Sequence, residues 1–170
     1  ETTSRLYTDL GLMTSNKKYT KNALEFFNVI TGHSIPDEYD NLITAPAYMR
    51  NKLLSLIESE ITNSLAGKAG KICIKINSLQ DKHIIRKLYE ASNAGVKVFL
   101  IVRGICCLRP KRKNLSENIT VISIIGDYLE HSRLYYFHNL GDSIIYSGSA
   151  DVMIRSFERR IEALFKINDD

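Results

Sequence analysis

The chain has 170 residues, a length that suits one domain with a proper buried core. Its hydrophobic share of 44% and charged share of 25% are ordinary globular values, and its net charge of +4 permits an anionic partner without requiring one. A membrane-spanning segment is excluded, because no apolar run approaches the ~20 residues that cross a bilayer, and the polar N-terminus predicts no signal peptide.

The first half of the chain predicts strands that alternate with helices. Leu6, Leu10 and Leu12 alternate and predict an opening strand, whereas apolar residues recur at helical spacing in later segments. The predicted elements are, in chain order, strand 5–14, helix 21–30, strand 42–45, helix 49–65, strand 72–76, helix 81–94 and strand 96–102. This order favours a largely parallel sheet flanked by helices.

The second half predicts further strands separated by short loops. They are 119–125, 132–137, 143–147 and 161–167. We expect them to extend the same sheet, because no repeat, low-complexity stretch or long linker divides the chain. The prediction is therefore one α/β domain over residues 1–170, with a mixed sheet that is largely parallel in its first half.

Arg103 directly follows the predicted buried strand 98–102. Ligands of such sheets bind at the carboxyl ends of strands, where the loops converge. An arginine at this position can hold an anionic ligand at the open edge of the sheet. It can equally pair with a surface carboxylate, and the sequence alone leaves both interpretations open.

His131 and Arg133 flank the start of the apolar strand 134–137. Because strand side chains alternate with a period of two, we expect both to project from the same face. Imidazole exchanges a proton near neutral pH, and guanidinium holds a phosphate through two parallel hydrogen bonds. The pair therefore indicates phosphoryl chemistry, with local backbone hydrogen bonding of the histidine as the alternative.

The three cysteines form no metal-binding pattern. Cys106 and Cys107 are adjacent, Cys73 stands alone, and no CxxC or histidine–cysteine ligand spacing occurs. We expect no metal site and interpret the cysteines as reduced, partly buried thiols of a cytosolic protein. The basic run 109–113 is the nearest candidate for a nucleic-acid contact, but so short a run is typical of a solvated loop.

Several short segments occur in an order that resembles a known family. They are 5–9, 77–79, 101–108, 115–119, 129–133 and 149–151. Together, and above all through the strings VRGICCL and LEHSR, they resemble the C-terminal part of the long-chain polyphosphate kinases of the histidine-phosphorylating type. Members of that family extend beyond both ends of this chain, so we expect it to be one C-terminal domain of a longer enzyme.

The resemblance implies an enzyme that moves the terminal phosphate of ATP to inorganic polyphosphate, reversibly and with Mg²⁺. In the family the phosphate rests on a histidine of the preceding domain, so the fragment alone is expected to be inactive, with most Mg²⁺ ligands outside it. The family's ATP site carries over to Tyr7, Arg103 and His131. The implied roles are adenine stacking for Tyr7, phosphate neutralisation for Arg103 and general acid catalysis for His131. Arg133 is a candidate second phosphate ligand.

The fold that the resemblance implies is that of the phospholipase D superfamily. Its pattern is HxK, an aspartate five residues further on, and then GSxN. Here the pattern reads His131-x-Arg133, with His138 at the aspartate position and Gly-Ser-Ala-Asp at 148–151. Arginine for lysine and histidine for aspartate weaken a phosphodiesterase interpretation.

Two alternatives to the kinase stay open. One is a phospholipase D-like phosphodiesterase or nuclease half-domain, and the other is a non-catalytic polyanion-binding module that uses the 109–113 loop. The partners implied by the resemblance are ATP, ADP, polyphosphate, the remaining domains of the parent enzyme and further copies in a homo-oligomer. It implies no specific nucleic acid and no transmembrane segment. The implied location is cytoplasmic, at most peripheral to the inner membrane.

Overall fold

The computed structural model describes residues 4–35 and 38–167, and within these ranges it contains nine strands and four α-helices. The strands are β1 (Tyr7–Thr8), β2 (Leu42–Ala45), β3 (Lys71–Ile76), β4 (Lys97–Val102), β5 (Ile119–Ile122), β6 (Leu129–Glu130), β7 (Arg133–Phe137), β8 (Ile144–Gly148) and β9 (Glu162–Ile167). The helices are α1 (Lys17–Ile30), α2 (Met49–Leu65), α3 (Lys82–Asn93) and α4 (Ile154–Glu158).

One mixed sheet of seven strands, in the order β2-β9-β8-β7-β3-β4-β5, organises the molecule. The pairs β3–β4 and β4–β5 are parallel, whereas every pair from β3 through β7, β8 and β9 to β2 is antiparallel. β1 and β6 form a separate parallel ribbon of two strands. The predicted mixed sheet flanked by helices is confirmed, and the second half extends that sheet as expected. Of the first-half strands, β3 and β4 are parallel, whereas β2 pairs antiparallel with β9 at the far side of the sheet.

Alternation along the strands builds the core. In β3 the side chains of Ile72, Ile74 and Ile76 are buried, and the intervening residues are less so. The buried residues of β3, β4 and β7 join one cluster with the inner face of α2. A large-to-small change such as Ile74→Ala would leave a cavity in this cluster and cost about 2–5 kcal/mol.

The two long central helices lie at their predicted positions. α2 occupies the predicted 49–65 and buries Leu53, Ile57 and Ile61 along one face. α3 begins after Asp81, whose Oδ1 accepts the backbone N–H groups of His83 and Ile84, each over 3.0 Å. Asp81 is fully buried, and its other oxygen, Oδ2, forms an ion pair of 3.0 Å with Arg50.

The predicted strand 5–14 is wrong. Only β1 is extended there, and it pairs with the two residues of β6 rather than with the main sheet. Leu10, Leu12 and Met13 are exposed, so the alternating apolar residues have no core face to cover. α1 begins at Lys17, before the predicted 21, because the Asn16 side chain accepts the backbone N–H of Lys18 over 2.9 Å and caps the helix.

Two smaller expectations also fail. β5 ends at Ile122, short of the predicted 125, because its partner strand β4 ends at Val102 and offers no further ladder. The thiols of Cys106 and Cys107 are exposed rather than partly buried, since they lie in the loop after β4, whereas Cys73 is half-buried within β3. The other predicted strands and helices are present within a few residues of their expected ends.

Within the described ranges, no helix is both long enough and apolar enough to span a bilayer.

Candidate active site

Arg103 lies where the carboxyl-terminal ends of β3 and β4 meet. We call this row of strand ends the site edge of the main sheet. β3 and β4 end side by side, while the antiparallel strand β7 begins at the same edge. The backbone N–H of Arg103 donates to Ile76 O over 3.2 Å, and that of Gly104 donates to Asn77 O over 2.8 Å. A Cβ at position 104 would lie 3.0 Å from this oxygen, so glycine permits the close approach. Arg103 is thereby fixed beside Asn77.

The small β1–β6 ribbon brings Tyr7 and His131 together. Tyr7 pairs with Leu129 and Thr8 with Glu130, and the backbone N–H of His131 then donates to Thr8 O over 3.1 Å. The rings of Tyr7 and His131 meet edge to face, with their centroids 4.8 Å apart. The guanidinium carbon of Arg103 lies 6.0 Å from the centroid of the Tyr7 ring. Three site residues expected from distant segments are therefore neighbours.

Asp9 orients the imidazole of His131. Its Oδ1 lies 3.0 Å from His131 Nδ1, at the side of the ring that faces the β1 segment. This distance assigns the Nδ1 proton to the Asp9 hydrogen bond and leaves Nε2 as the working nitrogen. Arg133 Nη1 lies 3.2 Å from Nε2 and 3.4 Å from Nδ1, so it is close to both ring nitrogens. The imidazole is therefore contacted by a carboxylate at Nδ1 and by a guanidinium near both nitrogens.

Arg133 is held by Asp151 as well as by His131. Its Nε and Nη2 atoms approach the two carboxylate oxygens of Asp151 at 3.4 and 3.3 Å, and its Nη1 donates to His131 O over 2.9 Å. Asp151 is buried, and its Oδ1 also accepts the backbone N–H of Asn77 over 2.7 Å. Arg133 thus stands at the site in a fixed position, with much of its charge compensated by Asp151.

Arg103 differs from the other cations of this edge. In the described part of the chain it forms no ion pair, so the surface ion-pair interpretation is wrong there. Its Nη1 is buried without a hydrogen-bond acceptor, and so are Asn77 Nδ2 and Thr8 Oγ1, which belong to the same edge. Buried polar groups are almost always paired in proteins, and exceptions concentrate at functional sites. The unmatched charge and donors suit an anionic ligand.

A cavity of about 300 Å³ opens beside His131. It is lined by Asp9, Leu10, His131, Ser132, Arg133, Ser147, Gly148, Ser149 and Phe165. Its walls carry the imidazole, one guanidinium and serine hydroxyls, which are groups that bind phosphate oxygens. A hollow of about 350 Å³ elsewhere, between Tyr39 and Ser55, has neither histidine nor arginine in its lining. The chemistry therefore favours the cavity at His131.

Metal ligands are scarce at this edge. The described residues include no group of three or more histidine, cysteine or acidic side chains that could hold an ion. The nearby carboxylates of Asp9 and Asp151 already contact His131 and Arg133. Magnesium commonly binds proteins through only one or two carboxylates plus the substrate's phosphates. The donor set therefore fits an ion that arrives with a phosphate ligand better than a resident ion.

Four residues of the site were missed as functional residues from the sequence: Asp9, Asn77, Asp151 and Lys75, whose Nζ donates to the backbone O of Ser132 beside His131 over 2.9 Å. Asp9, Asn77 and Asp151 lie within segments that carry the family resemblance, but their contacts depend on tertiary structure. Lys75 gave a weaker signal, as a cation on the less buried side of an otherwise apolar strand.

Comparisons with known proteins agree with this architecture. The sequence profile of polyphosphate kinase C-terminal domain 2 matches residues 42–170. A polyphosphate kinase from Staphylococcus haemolyticus is 52% identical over 167 residues, which are 98% of this chain and 23% of that protein. The crystal structure of polyphosphate kinase from Porphyromonas gingivalis superposes with a TM-score of 0.88 and 42% identity, covering 92% of this chain and 24% of that one.

A more distant structure supports the fold alone. A phospholipase D family member from Salmonella typhimurium superposes with a TM-score of 0.50 and 15% identity, over 74% of this chain and 80% of that one. The sheet is therefore of the phospholipase D-like type. The chain spans about a quarter of the length of the curated relatives it matches. Because the profile covers most of its residues, the chain belongs to the family of polyphosphate kinase C-terminal domains.

Proposed function

We propose that this chain acts as the C-terminal part of a polyphosphate kinase and supplies half of a site that transfers the terminal phosphate of ATP reversibly to polyphosphate. The observation that carries the proposal is the meeting of Tyr7, Arg103 and His131 at one sheet edge, together with the unmatched charge of Arg103. The names of its relatives supply the reaction.

Tyr7 and Arg103 are suited to the two ends of a nucleotide. Tyr7 is 41% exposed as a residue, which is compatible with stacking of an adenine base on its ring. Arg103 lies beside that ring and carries a charge that no carboxylate neutralises in the described part of the chain. Phosphoryl transfer depends mainly on positioning and on charge stabilisation. Arg103 would therefore stabilise the negative charge of the phosphates as the terminal group moves.

His131 is suited to act as a general acid at a phosphate oxygen. With Nδ1–H bound to Asp9, Nε2 is the nitrogen left for a ligand, and His131 lines the cavity together with Arg133. A phosphate that lies between the imidazole and the guanidinium can be bound by both groups. Nε2–H can then donate to the oxygen on which negative charge develops. Arg133 would hold the same phosphate group in place.

The attacking histidine would come from outside the described residues of this chain. His138, which stands at the superfamily's aspartate position, lies at the opposite edge of the sheet, where its N–H donates to Lys71 O over 3.0 Å. It is therefore too far along β7 to share the phosphate with His131. We infer that the nucleophile belongs to the remaining part of the parent enzyme.

Magnesium would enter with ATP and supply charge neutralisation of its phosphates. We expect its further ligands to lie mostly in the remaining domains, because the carboxylates at this edge are occupied by His131 and Arg133. We also expect the full-length protein to form a homo-oligomer and to work in the cytoplasm, at most peripheral to the inner membrane. Specific nucleic-acid binding forms no part of the proposal.

Two alternatives make different predictions. A phosphodiesterase half-domain uses the lysine of the HxK pattern, and here Arg133 is instead engaged by Asp151. A polyanion-binding module would use the 109–113 loop, which is anchored by the buried Ser116 next to the start of β5. That loop is separate from the edge where Arg103 and His131 meet.

The test is phosphate transfer by the full-length polypeptide that contains this chain. With ATP, Mg²⁺ and a polyphosphate primer we expect chain elongation, and with ADP and polyphosphate we expect ATP formation. The 170-residue chain alone should show no turnover in either direction. Hydrolysis of a bis(nitrophenyl) phosphate would instead support the phosphodiesterase, and salt-sensitive oligonucleotide binding without transfer would support the polyanion module.

A further inference from the structure

Lys75 is a partly buried cation in the strand that leads to the site. Its neighbours in β3, Ile74 and Ile76, point into the core, so the lysine projects from the other face of the sheet. Its side chain is only 15% exposed. A lysine in such a place needs partners for its charge, because burying an unpaired ammonium is costly.

The partners of Lys75 lie on both sides of His131. Its Nζ donates to the backbone O of Ser132 over 2.9 Å and to the Ser132 Oγ over 2.7 Å. The same atom forms an ion pair of 3.3 Å with Glu130 Oε2. An ammonium has three N–H donors, and these three contacts use all of them. One side chain of the main sheet therefore holds the residue before and the residue after the histidine.

We propose that Lys75 is a positioning residue that fixes His131 for phosphate transfer, an inference that rests on the proposed function. His131 itself is contacted by Asp9, Thr8 and Arg133, but the loop that leads to it contains only the short strand β6. β6 contributes two residues to an isolated two-stranded ribbon, and such a ribbon is marginal on its own. Ile125 and Tyr128, earlier in the loop, are exposed. Lys75 ties this loop to the seven-stranded sheet.

Lys75 acts through the loop rather than on the nucleotide. Its donors are occupied by Ser132 and Glu130, and Glu130 balances its charge. Removing the ammonium should therefore displace the imidazole of His131, whereas Arg103 stays fixed by backbone bonds beside Asn77, outside the loop. The turnover number should fall and the KM for ATP should stay nearly constant.

The first test is Lys75→Met in the full-length protein, which removes the ammonium but keeps an unbranched stem. We expect kcat to fall about 10- to 100-fold, the range that small displacements of catalytic groups produce, with KM for ATP changed less than about 2-fold. Lys71→Met is the matched control. Lys71 lies at the other end of β3 on the same face, over the ring of Tyr136, and its loss should leave kcat unchanged. An unchanged kcat in Lys75→Met, or an increase confined to KM, would overturn the proposal.

Amide hydrogen exchange gives a readout that does not depend on catalysis. In Lys75→Met we expect faster exchange in peptides covering 129–132, where the His131 N–H is bonded to Thr8 O, with no change across β4. Unchanged exchange at 129–132 contradicts the proposal even if the protein proves not to be a kinase. Faster exchange in an enzyme without transfer activity would remove the proposed function but keep the anchoring role.

If Lys75→Met does not fold, a milder variant tests the same proposal. Ser132→Ala removes the 2.7 Å contact to its hydroxyl but keeps the Glu130 ion pair and the backbone bond. We expect a smaller loss of kcat in the same direction, with faster exchange confined to 129–132. In the double variant Ser132→Ala with Glu130→Gln, the loss of kcat should approach that of Lys75→Met. A double variant with wild-type kcat and exchange would overturn the proposal.

Discussion

The imidazole of His131 meets the ring of Tyr7 edge to face, with centroids 4.8 Å apart and ring planes inclined by 75°. The contact joins the segment before α1 to the loop before β7, which the β1–β6 ribbon and its flanking bonds also connect. It therefore places the proposed base-stacking residue directly against the proposed acid. A substitution at Tyr7 should therefore affect both binding of the base and transfer of the terminal phosphate.

Replacing Tyr7 by leucine should raise the KM for ATP by about 10-fold, because stacking of a base on an aromatic ring contributes about 1–3 kcal/mol. It should also lower kcat, because His131 loses its ring contact. Tyr7→Phe keeps the ring and should behave like the wild type. Steady-state kinetics of the full-length enzyme make the comparison. Equal KM values in the leucine and phenylalanine variants would remove Tyr7 from the nucleotide site.

Replacing Arg103 by lysine should lower kcat/KM by about 10- to 100-fold. Lysine keeps the charge but loses the planar fork that holds two phosphate oxygens at once. Arg109→Lys, in the exposed loop, is the control and should leave the kinetics unchanged. A wild-type rate in Arg103→Lys would argue that this guanidinium does not touch phosphate.

Replacing Asp9 by asparagine should reduce kcat by about 10-fold or more while KM changes little. The amide has the same shape, but it lacks the charge that stabilises a protonated imidazole, and its NH₂ group can select the wrong tautomer. The 3.0 Å contact to His131 Nδ1 is the bond that changes. Asp127→Asn, an exposed acid in the loop before β6, serves as the control. If both variants turn over at the wild-type rate, Asp9 does not orient the histidine.

The stability of the chain should fall at high pH because of Tyr135. This phenol is fully buried, and burial raises its pKa above the ordinary value of 10.0, with the negative charge of Asp151 acting in the same direction. Below pH 10 the phenol is protonated in both the folded and the unfolded chain, so its contribution is constant. Above about pH 10 only the unfolded chain ionises, so the free energy of unfolding falls by up to about 1.4 kcal/mol per pH unit from this group.

Urea unfolding at several pH values tests this expectation. Tyr135→Phe should cost about 1 kcal/mol at neutral pH, because the hydroxyl donates to Ala150 O over 2.7 Å, but it should decline less steeply above pH 10. Tyr128→Phe, at an exposed position, should leave the slope unchanged. Parallel declines for the wild type and Tyr135→Phe would show that another group controls the alkaline transition.

The sequence was most informative where periodicity and burial coincide. α2 lies at the predicted 49–65 because its apolar stripe faces the core, and β3 follows its alternating isoleucines for the same reason. The same alternation failed in 5–14, where the leucines are exposed and no strand of the main sheet pairs with them within the described ranges. Alternating apolar residues form a strand only where another strand is available to pair with them, and a single sequence does not show that pairing strand.

The site, too, was predictable from the sequence only in part. The resemblance pointed to Tyr7, Arg103 and His131, and the structure makes them neighbours. It did not show how His131 is held, because Asp9 contacts the imidazole, and Lys75 contacts the neighbouring Ser132, from other parts of the chain. β6 was also missed, since two residues carry no measurable periodicity. Contacts between distant segments are set by tertiary packing, which a single sequence does not reveal.

The most direct measurement is the rate of ATP-dependent polyphosphate synthesis by the full-length protein carrying His131→Ala, with His138→Ala as the control at the opposite end of β7. Loss of a general acid at the transfer step should reduce the rate by about 10²- to 10⁴-fold, with little change in the folded state by circular dichroism. His138→Ala should retain the wild-type rate. A His131→Ala enzyme that elongates polyphosphate at a near-normal rate would contradict the account.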